Sequence, residues 1–128
     1  MTIQEPLRGR PEGGRDPLLL VHGFAATGRV WEPVAEDLED SFEVLAPTLL
    51  GHFEAEPFPP GVAAGIDALA DWLERELDAV GWDSAHIVGN SLGGWLALEL
   101  AKRGRARSVV ALAPAGGWRP GSRAVKRI

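Results

Sequence analysis

The chain has 128 residues, of which 45% are hydrophobic and none is cysteine. This length suits one domain that buries roughly two-thirds of its unfolded surface, and the apolar content excludes global disorder. The absence of thiols from the sequence excludes disulfides, thiolate metal sites and a cysteine nucleophile. No stretch matches a signal peptide or approaches the ~20 apolar residues of a membrane span, so we expect a cytoplasmic protein without membrane contact.

The formal net charge of −5 hides an uneven distribution of charged residues. All 18 acidic residues lie at or before Glu99, whereas eight of the 13 basic residues lie from Lys102 onward. Aromatic residues do not alternate with these basic residues beyond Trp118, so we interpret them as a helix end and a solvated tail and expect no nucleic-acid partner. The three histidines are scattered along the chain, and we expect no metal site and no cofactor.

Hydrophobic patterning divides the chain into a flexible N-terminal segment (1–16), one domain (17–118) and a basic C-terminal tail (119–128). Strands and helices alternate within the domain, which predicts right-handed crossovers and a mostly parallel sheet of about four strands with helices on both faces. In chain order the predicted elements are strand 17–22, a short helix from 27 or 28, strand 42–46, helix 66–80, strand 86–90, helix 92–103 and strand 108–113.

The segment Gly89-Asn90-Ser91-Leu92-Gly93 joins the third predicted strand to the third helix. A G-x-S-x-G turn between a strand and a helix is the pattern of a serine nucleophile elbow. Gly89 and Gly93 leave room where strand and helix crowd together, and the helix N-terminus offers backbone N–H groups to an oxyanion. The pattern predicts Ser91 as a catalytic nucleophile; an ordinary helix N-cap is the alternative.

Two motifs together resemble the α/β-hydrolase superfamily: His22-Gly23-Phe24 after the first strand and Gly89 to Gly94 after the third. The resemblance runs from about Pro17 to Trp118, which corresponds to the N-terminal half of a typical member. It implies a truncated α/β-hydrolase fold with the strand order 2-1-3-4 and an active site at the carboxyl ends of the strands. Trp31, Gly51-His52 and Ala113 to Gly117 agree with the same family.

The resemblance also implies roles for individual residues. Ser91 matches the nucleophile, and the backbone N–H groups of Phe24 and Leu92 match the oxyanion hole. His22 and Gly23 match the loop that shapes this oxyanion hole. Because the nucleophile position is a serine, the branches that use an aspartate nucleophile, such as epoxide hydrolases, are excluded. The side chains of Phe24 and Trp118 are candidate substrate contacts.

The catalytic acid and histidine of the family are missing from this chain. In the family both follow the nucleophile, whereas after Ser91 the sequence has one carboxylate, Glu99, and no histidine. His52 could face the site, but strand spacing puts the start of its loop about 10 Å from Ser91, and a base must come within about 3 Å.

The resemblance implies ester or related acyl hydrolysis, with a small apolar ester as the substrate. Three alternatives remain open: a catalytically inactive hydrolase fragment, a non-catalytic module that binds a small ligand, and a hydrolase that splits carbon–carbon bonds in ring-cleavage products. The fourth predicted strand leaves an apolar edge from Val109 to Ala113. Such an edge predicts self-association of the chain.

Overall fold

One mixed sheet organises the computed structural model, which describes residues 7–8 and 14–117. The order of its strands across the sheet is β1-β3-β2-β4-β5, and β2 to β5 are parallel. The prediction of four parallel strands in the order 2-1-3-4 is thereby confirmed. The strands are β1 (Leu7–Arg8), β2 (Asp16–Val21), β3 (Phe42–Ala46), β4 (Ala85–Asn90) and β5 (Ala106–Leu112).

The short strand β1 is an addition that the sequence patterns did not predict. Leu7 and Arg8 pair antiparallel with Ala46 and Leu45 at the outer edge of β3. A strand of two residues is too short to show a period-2 alternation, so patterning could not reveal it. The rest of the predicted N-terminal segment up to residue 13, and residues 118–128 with the predicted basic tail, lie outside the described residues.

Helices cover both faces of the sheet, in agreement with the prediction. A 3-10 turn (Gly28–Trp31) leads into α1 (Glu32–Leu38), which packs on one face, while α2 (Ile66–Ala79) and α3 (Leu92–Lys102) pack on the other. Residues of β2 alternate between the two cores, with Leu19 and Val21 on the side of α2 and α3 and Leu18 and Leu20 on the side of α1. Within the described residues, no helix is long and apolar enough to cross a membrane.

The apolar spacing of α2 explains how it docks. Leu69, Leu73 and Leu77 follow one another at steps of four, and all three are buried. Residues four apart lie on one face of a helix, so these leucines form a continuous stripe against the sheet. The chain then turns at Gly81, whose φ of 79° is in the left-handed region that glycine adopts without strain.

Arg103, just after α3, ties α3 to α2 through several carboxylates. Its guanidinium donates to Asp71 at 2.6 Å, to Glu74 at 2.9 Å and to Glu99 at 3.2 Å, and it lies 3.5 Å from Asp67. The hydrogen bonds that Arg103 donates to Asp71 and Glu74 raise its pKa above the ordinary value. The carboxylates are crowded on two helix faces, so the arginine also offsets their mutual repulsion.

We expect Arg103→Met to lower the free energy of unfolding by about 1–2 kcal/mol, because charge-assisted hydrogen bonds are lost while the carboxylates stay crowded. Urea denaturation at low and high salt measures this loss, which added salt should shrink. Arg75→Met on the exposed side of α2 is the matched control, since no ion pair of Arg75 occurs among the described residues. Equal losses in the two variants would contradict the role given to Arg103.

Candidate active site

The turn that carries Ser91 is strained. β4 ends at Asn90 and α3 begins at Leu92, and between them Ser91 has φ 54° and ψ −114°. Residues with a Cβ rarely adopt positive φ, and such conformations cost about 1–3 kcal/mol unless the surroundings impose them. Within the described residues the Ser91 side chain makes no hydrogen bond that caps α3, which argues against the ordinary N-cap alternative.

Backbone hydrogen bonds from the following strand hold this turn in place. The N–H of Ser91 donates to the carbonyl of Leu112 at the end of β5 at 2.9 Å. The Ser91 carbonyl accepts from Ala115 at 3.0 Å, and from Gly94 and Trp95 in the first turn of α3. The bonds to Leu112 and Ala115 could not be predicted from sequence patterns, because main-chain hydrogen bonds do not depend on the identity of the side chains.

Gly89 and Gly93 allow the backbone contacts that the turn requires. A Cβ at Gly89 would lie 2.0 Å from the carbonyl oxygen of Gly93, and a Cβ at Gly93 would lie 2.0 Å from that of Val21. Real Cβ atoms do not approach backbone oxygens this closely, so a side chain at either position would push α3 away from the sheet. The structure therefore places both glycines where strand and helix crowd together.

The loop after β2 runs beside the Ser91 turn. A Cβ on Gly23 would lie 3.4 Å from the Asn90 carbonyl oxygen and 3.5 Å from the Ser91 Cβ, which is ordinary van der Waals contact. Phe24 is the next residue, and its side chain is 79% exposed. The two segments that carry the family motifs, around Gly23 and around Ser91, are thus neighbours in the structure.

His22 links this loop to the loop after β3. It is fully buried, its Nδ1 lies 2.7 Å from the Gly23 carbonyl oxygen, and its Nε2 accepts the Leu49 N–H at 2.8 Å. This pair of contacts fixes the tautomer with the proton on Nδ1. Burial lowers the pKa of His22 to about 4, although the hydrogen bond to Gly23 raises it. His22 is therefore neutral at pH 7, and both ring nitrogens are occupied.

His52 lies at the same end of the sheet as Phe24 and His22. Its ring centroid is 5.0 Å from that of His22 and 5.8 Å from that of Phe24, and its Nδ1 is 3.2 Å from the Leu50 carbonyl oxygen. Its Nε2 is buried and has no hydrogen-bond partner among the described residues. Within that same part of the chain, no hydrogen bond joins the hydroxyl of Ser91 to a histidine.

The other titratable candidates do not reach Ser91. His86 is the second residue of β4, at the opposite end of the sheet, where it hydrogen-bonds Ser108 at 2.7 Å and lies 3.4 Å from Asp16. Glu99 accepts the bond from Arg103. Trp118, a predicted substrate contact, lies outside the described residues. Residues 7–8 and 14–117 contain no group of three or more side chains placed to hold a metal.

Two open hollows lie beside α3, and both are lined by Trp95 and Glu99. One has a volume of about 500 Å³ and extends to residues 63–68; the other, of about 290 Å³, extends to residues 114–117. Ser91 lines neither of them.

Comparison with known proteins gives consistent results for the fold. A family model described as the alpha/beta hydrolase fold matches residues 16–124. The chain is 70% identical over 50 residues to the epoxide hydrolase EphH of Mycobacterium tuberculosis, a match that covers 39% of this chain and 23% of that protein. It is 35% identical over 109 residues to the 2-hydroxymuconate semialdehyde hydrolase of Pseudomonas sp. strain CF600, covering 81% of this chain and 38% of that protein.

A solved structure agrees with this result. The 2-hydroxy-6-oxo-6-phenylhexa-2,4-dienoate hydrolase of Rhodococcus sp. strain RHA1 superposes with a TM-score of 0.78 at 27% identity, covering 91% of this chain and 44% of that chain. The chain thus spans less than half the length of these proteins. With the family match, the strand order and the solved structure in agreement, the chain belongs to the α/β-hydrolase fold family.

Proposed function

We propose that this chain carries the nucleophile of a serine hydrolase that cleaves esters or related acyl compounds. The observation that supports this most directly is the strained turn at Ser91, which interrupts the path from β4 to α3 and is held by bonds to Leu112 and Ala115. Strain of this kind is kept where the surroundings impose it, and it clusters at functional sites. In this proposal the turn is a nucleophile elbow, and Ser91 attacks the substrate carbonyl carbon.

The backbone N–H groups of Leu92 and Phe24 form the oxyanion hole in this proposal. Leu92 is the first residue of α3, and the first N–H groups of a helix have no partner within the helix. Phe24 follows Gly23, which packs against the Ser91 turn. One donor of this kind is worth about 10²–10³ in turnover, because it meets negative charge that develops only in the transition state.

His22 is a positioning residue for this oxyanion hole. Its Nδ1–H holds the Gly23 carbonyl, which belongs to the peptide unit that also contains the Phe24 N–H, and its Nε2 anchors the ring to Leu49. A neutral imidazole can make both bonds at once, whereas an imidazolium has no lone pair to accept the Leu49 N–H. The low pKa of His22 therefore keeps the loop in one arrangement across neutral pH.

We assign the general base and its acid to polypeptide outside the described residues. Both ring nitrogens of His22 are hydrogen-bonded, and His86 lies at the far end of the sheet. His52 contacts the Leu50 carbonyl oxygen and makes no hydrogen bond to Ser91 among the described residues, and Glu99 is bound to Arg103. Loss of the histidine in a serine hydrolase costs about a millionfold in turnover, or about 8 kcal/mol of barrier. The inactive-fragment alternative therefore corresponds to this same site without its base.

A small apolar ester is the substrate class that we favour. The exposed ring of Phe24 stands beside the proposed oxyanion hole and offers an apolar contact to an acyl group. Epoxide opening, which the name of one relative suggests, proceeds through attack by a carboxylate in the aspartate branch of the family. Ser91 places a hydroxyl at that position, so we do not transfer the activity to this chain.

Carbon–carbon bond hydrolysis is the second candidate, because the chain is 34–35% identical to two hydrolases named for ring-cleavage products. Both reactions use the same nucleophile and oxyanion hole. They differ in the leaving group, which is an oxygen in an ester and a carbon in a ring-cleavage product. A carbon leaving group needs a proton donor as it departs. The test therefore compares the turnover of an ester with that of a vinylogous 1,5-diketone, in a protein to which the missing base has been supplied. The substrate that is turned over distinguishes the two candidates.

We expect phenylboronic acid to stabilise the chain through Ser91. The serine oxygen adds to boron, a proton leaves to water, and the tetrahedral anion occupies the oxyanion hole without needing a catalytic base. At tenfold excess over its dissociation constant, the ligand should stabilise the chain by about 1.4 kcal/mol and raise the melting temperature by roughly 5 °C.

Ser91→Ala should abolish this shift, whereas Ser108→Ala, a change at an exposed hydroxyl bonded to His86, should keep it. Toluene, which has the ring without boron, is the ligand control. Equal stabilisation of Ser91→Ala by the boronic acid would instead support the non-catalytic ligand-binding module. If the boronic acid does not raise the melting temperature of the unmodified chain, the claim that Ser91 is exposed to ligands beside an oxyanion hole is contradicted.

We expect the chain to lose stability as the pH falls from 6.5 to about 4, because His22 has a folded pKa of about 4 against 6.5 in the unfolded chain. In this window the unfolded state binds a proton that the folded state does not, so unfolding is favoured by roughly 3 kcal/mol at the lower end. His22→Gln should be less stable at pH 7 but lack this dependence. Urea denaturation of both proteins from pH 4 to 7 measures the free energy of unfolding at each pH. His86→Gln is the control, which should keep the pH dependence of the unmodified chain. If the free energy of unfolding of His22→Gln falls with pH as steeply as that of the unmodified chain, His22 is not the source of the dependence.

A further inference from the structure

The turn after β2, which carries the Phe24 N–H, is strained like the turn at Ser91. It comprises residues 23–26: the Gly23 carbonyl oxygen accepts the Ala26 N–H at 3.2 Å, and Ala25 has φ 62°. Residues with a Cβ rarely adopt positive φ, and they keep it only where the surrounding structure imposes it. If this turn relaxed, the Phe24 N–H would move. The contacts that hold the turn therefore matter for the proposed oxyanion hole.

Two histidine rings contact this turn at neighbouring residues. The His22 ring binds the Gly23 carbonyl oxygen. The His52 ring meets the Phe24 ring edge to face, with centroids 5.8 Å apart and an interplanar angle of 81°, which is a favourable arrangement for two aromatic rings. The same His52 ring meets that of His22 at 5.0 Å and 70°. The three rings are thus in continuous contact from the buried His22 out to Phe24.

The loop after β3 fixes the His52 ring independently of Phe24. The Nδ1–H of His52 donates to the Leu50 carbonyl oxygen at 3.2 Å, and its backbone N–H donates to the Leu49 carbonyl oxygen at 3.0 Å. The preceding residue, Gly51, has φ 77°, and a Cβ there would lie 2.4 Å from the Phe58 ring. Only glycine fits this position without strain or collision. The backbone of this loop therefore sets where the His52 ring lies.

We propose that His52 is a positioning residue for the oxyanion hole, because its ring holds the Phe24 side chain and thereby keeps the strained turn in the conformation that presents the Phe24 N–H. The role needs the ring and its anchor at Nδ1. It does not need Nε2, which is buried and has no hydrogen-bond partner among the described residues. This inference rests on the proposed function, since it concerns the same oxyanion hole.

Two substitutions separate the ring of His52 from its anchor. His52→Asn keeps an N–H that can reach the Leu50 carbonyl but removes the ring, whereas His52→Phe keeps a ring against Phe24 and removes the N–H. Isothermal titration calorimetry with phenylboronic acid measures the effect, because the tetrahedral boronate occupies the oxyanion hole. We expect His52→Asn to bind roughly 10- to 100-fold more weakly, since a misplacement of about 1 Å costs up to about 10²-fold. His52→Phe should bind like the unmodified chain.

His86→Asn is the matched control. The His86 ring makes a similar edge-to-face contact with Phe42, at 6.0 Å and 79°, at the opposite end of the sheet, so its loss should leave the affinity unchanged. Equal affinity of His52→Asn and the unmodified chain would overturn the inference and leave the proposed function standing. Weak binding by His52→Phe would also overturn it, because the ring would not suffice. No binding by the unmodified chain would contradict the proposed function, and with it the oxyanion hole that His52 positions.

Relief of the strain at Ala25 separates positioning from a general loss of structure. Glycine adopts positive φ without strain, so in Ala25→Gly the turn no longer depends on the contact with His52. Adding Ala25→Gly to His52→Asn should restore most of the lost affinity for phenylboronic acid, whereas adding it to Ser91→Ala should restore none. A protein that His52→Asn had merely unfolded would not regain binding through a glycine in another loop. Failure of Ala25→Gly to restore binding would overturn the proposal.

Discussion

The close approach of α3 to the sheet is the constraint on which the rest of this structure depends. Gly89 and Gly93 bring the first turn of α3 against the backbone of β4 and β2, with no space for a side chain at either position. That approach leaves Ser91 in a left-handed conformation, and bonds to Leu112 and Ala115 hold it there. A wider separation would remove the reason for the strain and move the Leu92 N–H away from the loop after β2.

In our proposal, the surroundings of Ser91 expose its hydroxyl as a nucleophile but do not provide the base that would activate it. The nearby loop is held by His22, whose burial keeps it neutral and whose two nitrogens are already bonded. His22 therefore contributes geometry, and in our proposal the proton acceptor for Ser91 comes from elsewhere. Exposing the serine hydroxyl and removing its proton are thus two separate tasks. In our proposal the described residues perform only the first.

Local sequence patterns predicted most of the fold, because the spacing of apolar residues depends on which faces of a helix or strand are buried. The leucine spacing of α2 and the apolar runs of β2 and β5 require only that one face or two faces be buried, and the structure has these elements within a few residues of the predicted bounds. The G-x-S-x-G motif predicted where the strained turn lies. The two-residue strand β1 and the carboxylate cluster around Arg103 escaped prediction, because pairings across the fold leave no periodic signal. The bond between His22 and Leu49 is of the same kind, since it joins residues 27 positions apart.

Labelling with a fluorophosphonate probe, in the presence and absence of imidazole, tests the central claim most directly. Imidazole can enter an open site and serve as the missing base, and mass spectrometry locates the labelled residue. The account predicts little label without imidazole, an imidazole-dependent increase confined to Ser91, and no increase in Ser91→Ala. Rapid labelling of Ser91 without imidazole would contradict the claim that the described residues supply no base, and labelling elsewhere would contradict its assignment as the nucleophile.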